Sequence, residues 1–221
     1  MLRASRLVPA ALLAGLLIVV ATSSLAAANH LPFGTYSRDV KALCDEAGAQ
    51  LPDLAGAMGL VNMMVWVAAG STAVLAAALW PPRRRWLLAF AALVLLLALD
   101  DAMLLHEEIG PELGLPEKGF YLLYVMVCLL LLVGALRPAA DRSAADRRWS
   151  LALGALAPSS VAFLLGAILL GVSVIVDQAT HGRHLAEDAP KLLGSLVWLT
   201  VPVLHLPRDV LSAAEQLGGS A

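Results

Sequence analysis

The chain predicts an all-α, polytopic integral membrane helix bundle: five spans plus an N-terminal segment that is either a signal peptide or a sixth span. Three observations carry this expectation. Apolar residues make up 60% of the 221 and charged ones 14%, where a soluble domain runs nearer half and a quarter. The apolar residues gather into runs of roughly 20, the length a helix needs to cross a bilayer. Basic residues collect at alternate run ends, as the positive-inside rule requires.

Met1 to Ala28 opens with Arg3 and Arg6, continues apolar from Leu7 to Ala21, and ends on small residues. These are the parts of a signal peptide, and the run also has the length of an uncleaved helix. Residues 29–57 are polar and form an extracytoplasmic loop too small for a core of its own. The bundle proper, residues 58–206, then holds five apolar runs. Met58 to Trp80 is stopped by Pro81-Pro82 and followed by Arg83-Arg84-Arg85. Trp86 to about Leu105 is closed by Gly110-Pro111, and Gly119 to Leu136 ends at Arg137-Pro138. Leu151 to Val176 carries Pro158, which predicts a kink or tilt. Ala189 to Leu206 is the last run, and residues 207–221 form a polar, cytoplasmic tail.

Ten of the fifteen Lys and Arg fall on one side in this scheme, which marks it as the cytoplasm. Thirteen of the seventeen acids and four of the five histidines fall at the other face. The expected address is the cell (plasma) membrane, of bacterial inner-membrane type, with the polar clusters facing the extracytoplasmic space. The arginines lie in short loops without interleaved aromatics, which excludes a nucleic-acid partner. Cys44 lies in a polar loop and Cys128 within an apolar run, so no disulfide or thiol metal motif is expected.

Two clusters concentrate the chemistry. Asp100, Asp101, His106, Glu107 and Glu108 end the run that starts at Trp86. At about 1.5 Å per residue Asp100 lies roughly 21 Å along that helix, inside the outer leaflet. Intramembrane carboxylates are costly and face protein or a wet cavity. In a continuous helix Asp100 and Glu107 share one line and Asp101 and Glu108 another. The bland alternative is a helix that ends early, with its acids in the headgroups.

Asp177, His181, His184, Glu187 and Asp188 form the second cluster. A continuous helix would align Asp177, His181, His184 and Asp188 as a stripe able to share a metal. Gly182 and Asp188-Ala189-Pro190 argue instead for a break, with Asp188 as N-cap of the last helix. The bland alternative there is ordinary capping and solvated histidines. Pooled on one face, the inventory suits Zn, Fe or Cu held by nitrogen and oxygen ligands. The expected ligands are His106, Asp177, His181, His184 and Glu187; the expected catalytic acids are Glu107, Asp100 and Asp101.

Other residues weigh less. Lys118 and Lys191 could counter the acids or an anionic headgroup, and His205 reads as interfacial. Ser159 and Ser160 are placed to satisfy carbonyls freed by Pro158. The tryptophans fall mostly near run ends, as an aromatic belt requires. Gly166 and Gly171 with Ala162 and Ala167 read as close helix packing.

The leading expectation is a metal-dependent membrane enzyme, hydrolytic or oxidative, whose partner is membrane lipid and whose substrate is a lipid or small molecule. Metal-bound water would be activated by a carboxylate such as Glu107. A proton or divalent-cation transporter component is the alternative, although the cytoplasmic halves offer little beyond Ser159, Ser160, Thr200 and His205. A non-catalytic metal-binding or assembly role, and an oligomer, also fit the pattern.

Overall fold

The computed structural model describes residues 4–37, 54–114, 116–136, 158–179 and 184–206. Six long helices account for most of them: α1 Ala4–Ala28, α2 Ala57–Leu79, α3 Arg84–Met103, α4 Glu117–Leu136, α5 Pro158–Ala179 and α6 His184–His205. No strand occurs among the described residues. Helices α1 to α5 are each long and apolar enough to cross a membrane, so the chain is a polytopic helical membrane protein.

Local chemistry sets the breaks. Trp80 precedes Pro81 and leaves the helical region (φ −130°, ψ 78°), because the proline ring disfavours a helical conformation in the residue before it. A single 3-10 turn, Pro81–Arg83, then starts α3. The link is so short that α2 and α3 lie side by side and antiparallel. On α3 the buried set Leu87, Phe90, Ala91, Val94, Ala98 repeats every three or four residues. Leu88, Leu95, Leu96 and Leu99 on the other faces are exposed, as lipid contact requires.

α6 is the most polar helix and the most enclosed. It lies against α5, α2 and α1, and Leu192, Val197, Trp198 and Val201 are fully buried. Its ends reach both poles of the bundle, with Lys191 at Asp101 and His205 stacked on Trp86 at 4.5 Å. Gly166 on α5 makes this packing possible, since a Cβ there would occupy the place of the Trp198 indole. Trp198 in turn donates to the Phe163 carbonyl at 2.8 Å.

Several expectations change in detail. α6 begins at His184, five residues ahead of the expected start, and carries Pro190 inside it, so Asp188 sits within the helix and is not its N-cap. α5 and α6 are two helices, the broken arrangement that the sequence argues for, so Asp177 and Asp188 do not share one helical stripe. Pro158 is the first residue of described α5; residues 151–157 lie outside the described set. Ser160 donates across to the Ala135 carbonyl of α4 at 3.1 Å. Trp66, Trp86 and Trp198 join Phe90 and Phe163 in an internal aromatic cluster with centroids 5.3–6.0 Å apart, so these three do not form a belt. The N-terminal segment is a helix docked on α6 through Gly15, whose neighbours there are Leu193 and Leu196.

α4 is held mainly at its two ends. Near its C-terminus Arg83 donates to Gly134 O at 2.9 Å and Trp86 to Leu131 O at 2.7 Å. Both bonds join α4 to the start of α3 through main-chain acceptors. Near its N-terminus Tyr121 and Tyr124 reach α5 and α3. Between these ties a cavity separates α4 from the bundle.

Candidate functional site

The site is built on a helix ending. After Met103, Leu104 takes the left-handed conformation (φ 50°, ψ 45°), which costs a residue with a side chain about 1–2 kcal/mol. A π-type turn, Leu105–Ile109, follows. The reversal brings His106 back over the helix end, where its backbone N–H and its ring Nδ1 both meet Asp100 Oδ1 at 2.9 Å. Asp100 thereby captures a backbone donor that a continuing helix would have used internally. The expected alignment of Asp100 with Glu107 and Asp101 with Glu108 is broken for this reason.

Tyr124 of α4 donates to the other oxygen of Asp100 at 2.8 Å. Asp100 is buried and its carboxylate accepts three hydrogen bonds, the compensation a charge needs away from water. An ionised carboxylate can only accept, so Nδ1 carries the proton in the His106–Asp100 contact. The imidazole is therefore fixed in orientation, and Nε2 is its basic nitrogen.

Asp101 turns to a different set of partners, about 100° round the helix. It accepts from Asn62 Nδ2 at 3.0 Å and forms an ion pair with Lys191. Asn62 accepts in turn from Ser195 at 2.9 Å. This network ties α2, α3 and α6 together, and Asp188 lies beside it, bonded to Ser37. Adjacent acids thus coexist because each has its own donors.

Asp177 is the end of α5 that meets α4: Tyr121 donates to it at 3.2 Å and Gln178 at 3.3 Å. The Tyr121 ring lies 5.2 Å from that of His106. Asp100, Asp101, His106, Asp177, Glu187 and Lys191 all line one cavity of about 430 Å³. His184 does not; it packs against Gly34, where a Cβ would displace its ring. The Glu107 side chain and all of His181 lie outside the described residues. Among the described residues, no three His, Cys, Asp or Glu side chains gather at a spacing fit for a metal.

Below this polar end the cavity is apolar. It follows α4 from Tyr121 to Leu132, about 16 Å at 1.5 Å per residue, or roughly half a bilayer's hydrocarbon. Val125, Leu129, Ile168 and Ile175 form its rim and are all more than half exposed, so the cavity opens sideways between α4 and α5. Gly171 has nothing within 4 Å of a Cβ position and leaves the space clear, where close packing was expected. Trp66 forms part of the inner wall, 2% exposed, and its indole nitrogen finds no hydrogen-bond partner among the described residues. A buried donor left so costs about 1–3 kcal/mol.

Tyr121, Tyr124, Asn62, Ser195 and Trp66 are site residues that sequence reasoning missed. Asn62 carried a usable signal, being an amide in the middle of an apolar run. The tyrosines were hidden by the interfacial role that tyrosine usually has near span ends.

Fold and site define a polytopic helical membrane protein with a polar site at one end of its bundle and a lipid-facing apolar cavity leading from it. The chain belongs to the family described as a domain of unknown function (DUF8692), whose model matches residues 10–206. No curated protein and no solved structure matches it.

Proposed function

We propose that this protein is a membrane enzyme that takes an amphiphilic lipid sideways from the bilayer and acts on it by acid–base chemistry at Asp100 and His106. The observation that carries this reading is the cavity: an apolar channel one leaflet deep, open at a rim of exposed aliphatic residues and closed by a hydrogen-bonded Asp–His–Tyr group. Its polar end holds four acids against Lys191 and His106, which favours a lipid head that is uncharged or cationic. The basic residues pooled at the opposite run ends support a head group on the extracytoplasmic side of the cell membrane.

In the hydrolytic step His106 Nε2 removes a proton from water as its oxygen attacks an ester or amide carbon. The same proton then passes to the departing alcohol or amine. Asp100 keeps the ring in the reactive tautomer and stabilises the imidazolium formed midway. A divalent metal (Zn, Fe or Cu) is the second reading, favoured by the presence of His106, Asp177 and Glu187 on one cavity. In that version His106, Asp177 and Glu187 would hold the metal, which would supply a Lewis acid for the same hydrolysis, with His181 and Glu107 as the sequence's candidates for a further ligand and a base.

The test is fatty-acid release from a monoacylglycerol by the protein in lipid nanodiscs, before and after dialysis against a chelator. The acid–base reading expects chelator-resistant release that falls about 100-fold or more in His106→Asn. Unchanged release in that variant overturns it, and loss on chelation that added metal restores supports the metal version.

A further inference from the structure

We infer that the inner end of the cavity measures the lipid's chain, with Leu132 and Phe163 as the stop, so that the site selects chains of about twelve carbons; this rests on the amphiphile reading of the cavity. The side opening does not run the full depth. Its rim reaches inward as far as Leu129 and Ile168, both more than half exposed. One turn further in, the lining residues Leu132 and Leu164 are half-buried and Phe163 is 1% exposed. At that level α4 is also joined to both of its neighbours. Trp86 and Arg83 donate to the Leu131 and Gly134 carbonyls, and Ser160 donates to that of Ala135. Phe163 has no room to step aside, since it stacks on Trp198 at 5.3 Å and meets Trp86 and Phe90 edge-on at 5.9 and 6.0 Å. A core packed in this way resists even one added methylene. The cavity therefore ends on a fixed wall.

The polar end sets where the chain starts. A head group held at Asp100 and His106 lies level with Tyr124, whose hydroxyl meets Asp100, and with Tyr121, whose ring meets that of His106. From these two residues to Leu132, α4 rises roughly 12–16 Å. An extended chain with carbon–carbon bonds of about 1.5 Å advances about 1.25 Å per carbon, so roughly ten to thirteen carbons reach the stop. Hydrophobicity does not set this preference, because bilayer tails are as apolar as the cavity wall. Fit sets it. A shorter chain leaves the inner end without contacts, and a longer one buckles or withdraws through the side opening.

Glycerol monoalkyl ethers of eight to eighteen carbons are the probes, since they carry head and chain without a hydrolysable bond. Dissociation constants, as mole fractions of the micelle, are measured with the full chain in detergent for wild type, Leu132→Ala and Leu132→Phe. Wild type is expected to bind best near twelve carbons and about ten-fold more weakly four carbons to either side. Leu132→Ala draws the stop back and is expected to move the optimum to longer chains, and Leu132→Phe to move it to shorter ones. Affinity that does not depend on chain length, or an optimum that neither variant moves, overturns the assignment while leaving the amphiphile reading in place. Binding of no probe overturns both. Should Leu132→Ala fail to fold, Leu132→Phe decides alone: a shorter optimum supports the assignment and an unmoved one overturns it.

Discussion

At the residue scale, Asp100 and Asp101 are neighbours in the chain with separate tasks. Asp100 orients His106 and Asp101 holds the bundle together, because their side chains leave the helix about 100° apart. Asp100→Asn keeps an acceptor for the His106 backbone N–H but presents no full charge to the imidazolium. Lipid turnover is expected to fall about 100-fold or more with little change in thermal stability. Lys191→Met leaves Asp101 charged, buried and short of its cation, a change that typically costs about 3–5 kcal/mol. Thermal unfolding in detergent is expected to show that loss, and the double variant Lys191→Met, Asp101→Asn to recover most of it. A single variant as stable as wild type would show that the ion pair does not hold α3 to α6.

The element scale shows what was legible in the sequence and what was not. The apolar runs, the Pro81-Pro82 break and the pooling of His106, Asp177 and Glu187 at one end all follow from composition and helical length. The ending of α3 does not. Nothing in Leu104 announces a left-handed residue, which exists because Asp100 and His106 reward the reversal with two hydrogen bonds. Of the two geometries open for the second cluster the broken one forms: α5 and α6 are separate helices, and His184 is turned to Gly34. Pairings such as Tyr124 with Asp100 or Asn62 with Asp101 depend on which helices adjoin, which one chain's pattern does not encode. Gly171 tests the α4–α5 cavity directly. Gly171→Leu fills open space and replaces glycine within a helix, so stability is expected to hold or to rise by up to about 1 kcal/mol. Lipid binding is expected to fall at the same time, and a variant that unfolds early instead would mean that the space is not open.

At the scale of the whole molecule, α6 explains how a polar helix sits in an apolar bundle. Its hydrophilic groups are spent on neighbours near the two poles, while Val197, Trp198 and Val201 fill the middle. The proposed orientation, with the polar site outside, is open to a direct test. Leu113 lies at the same end as His106 and is 73% exposed. In a Cys44→Ser background, Leu113→Cys is expected to react with a membrane-impermeant maleimide added to intact cells; labelling only after lysis would invert the topology. On the proposed function the cavity between α4 and α5 holds an amphiphile, and native mass spectrometry of the gently solubilised protein tests this most directly. Wild type is expected to retain lipid-sized mass that Gly171→Leu lacks. Equal retention by both, or by neither, would contradict the account.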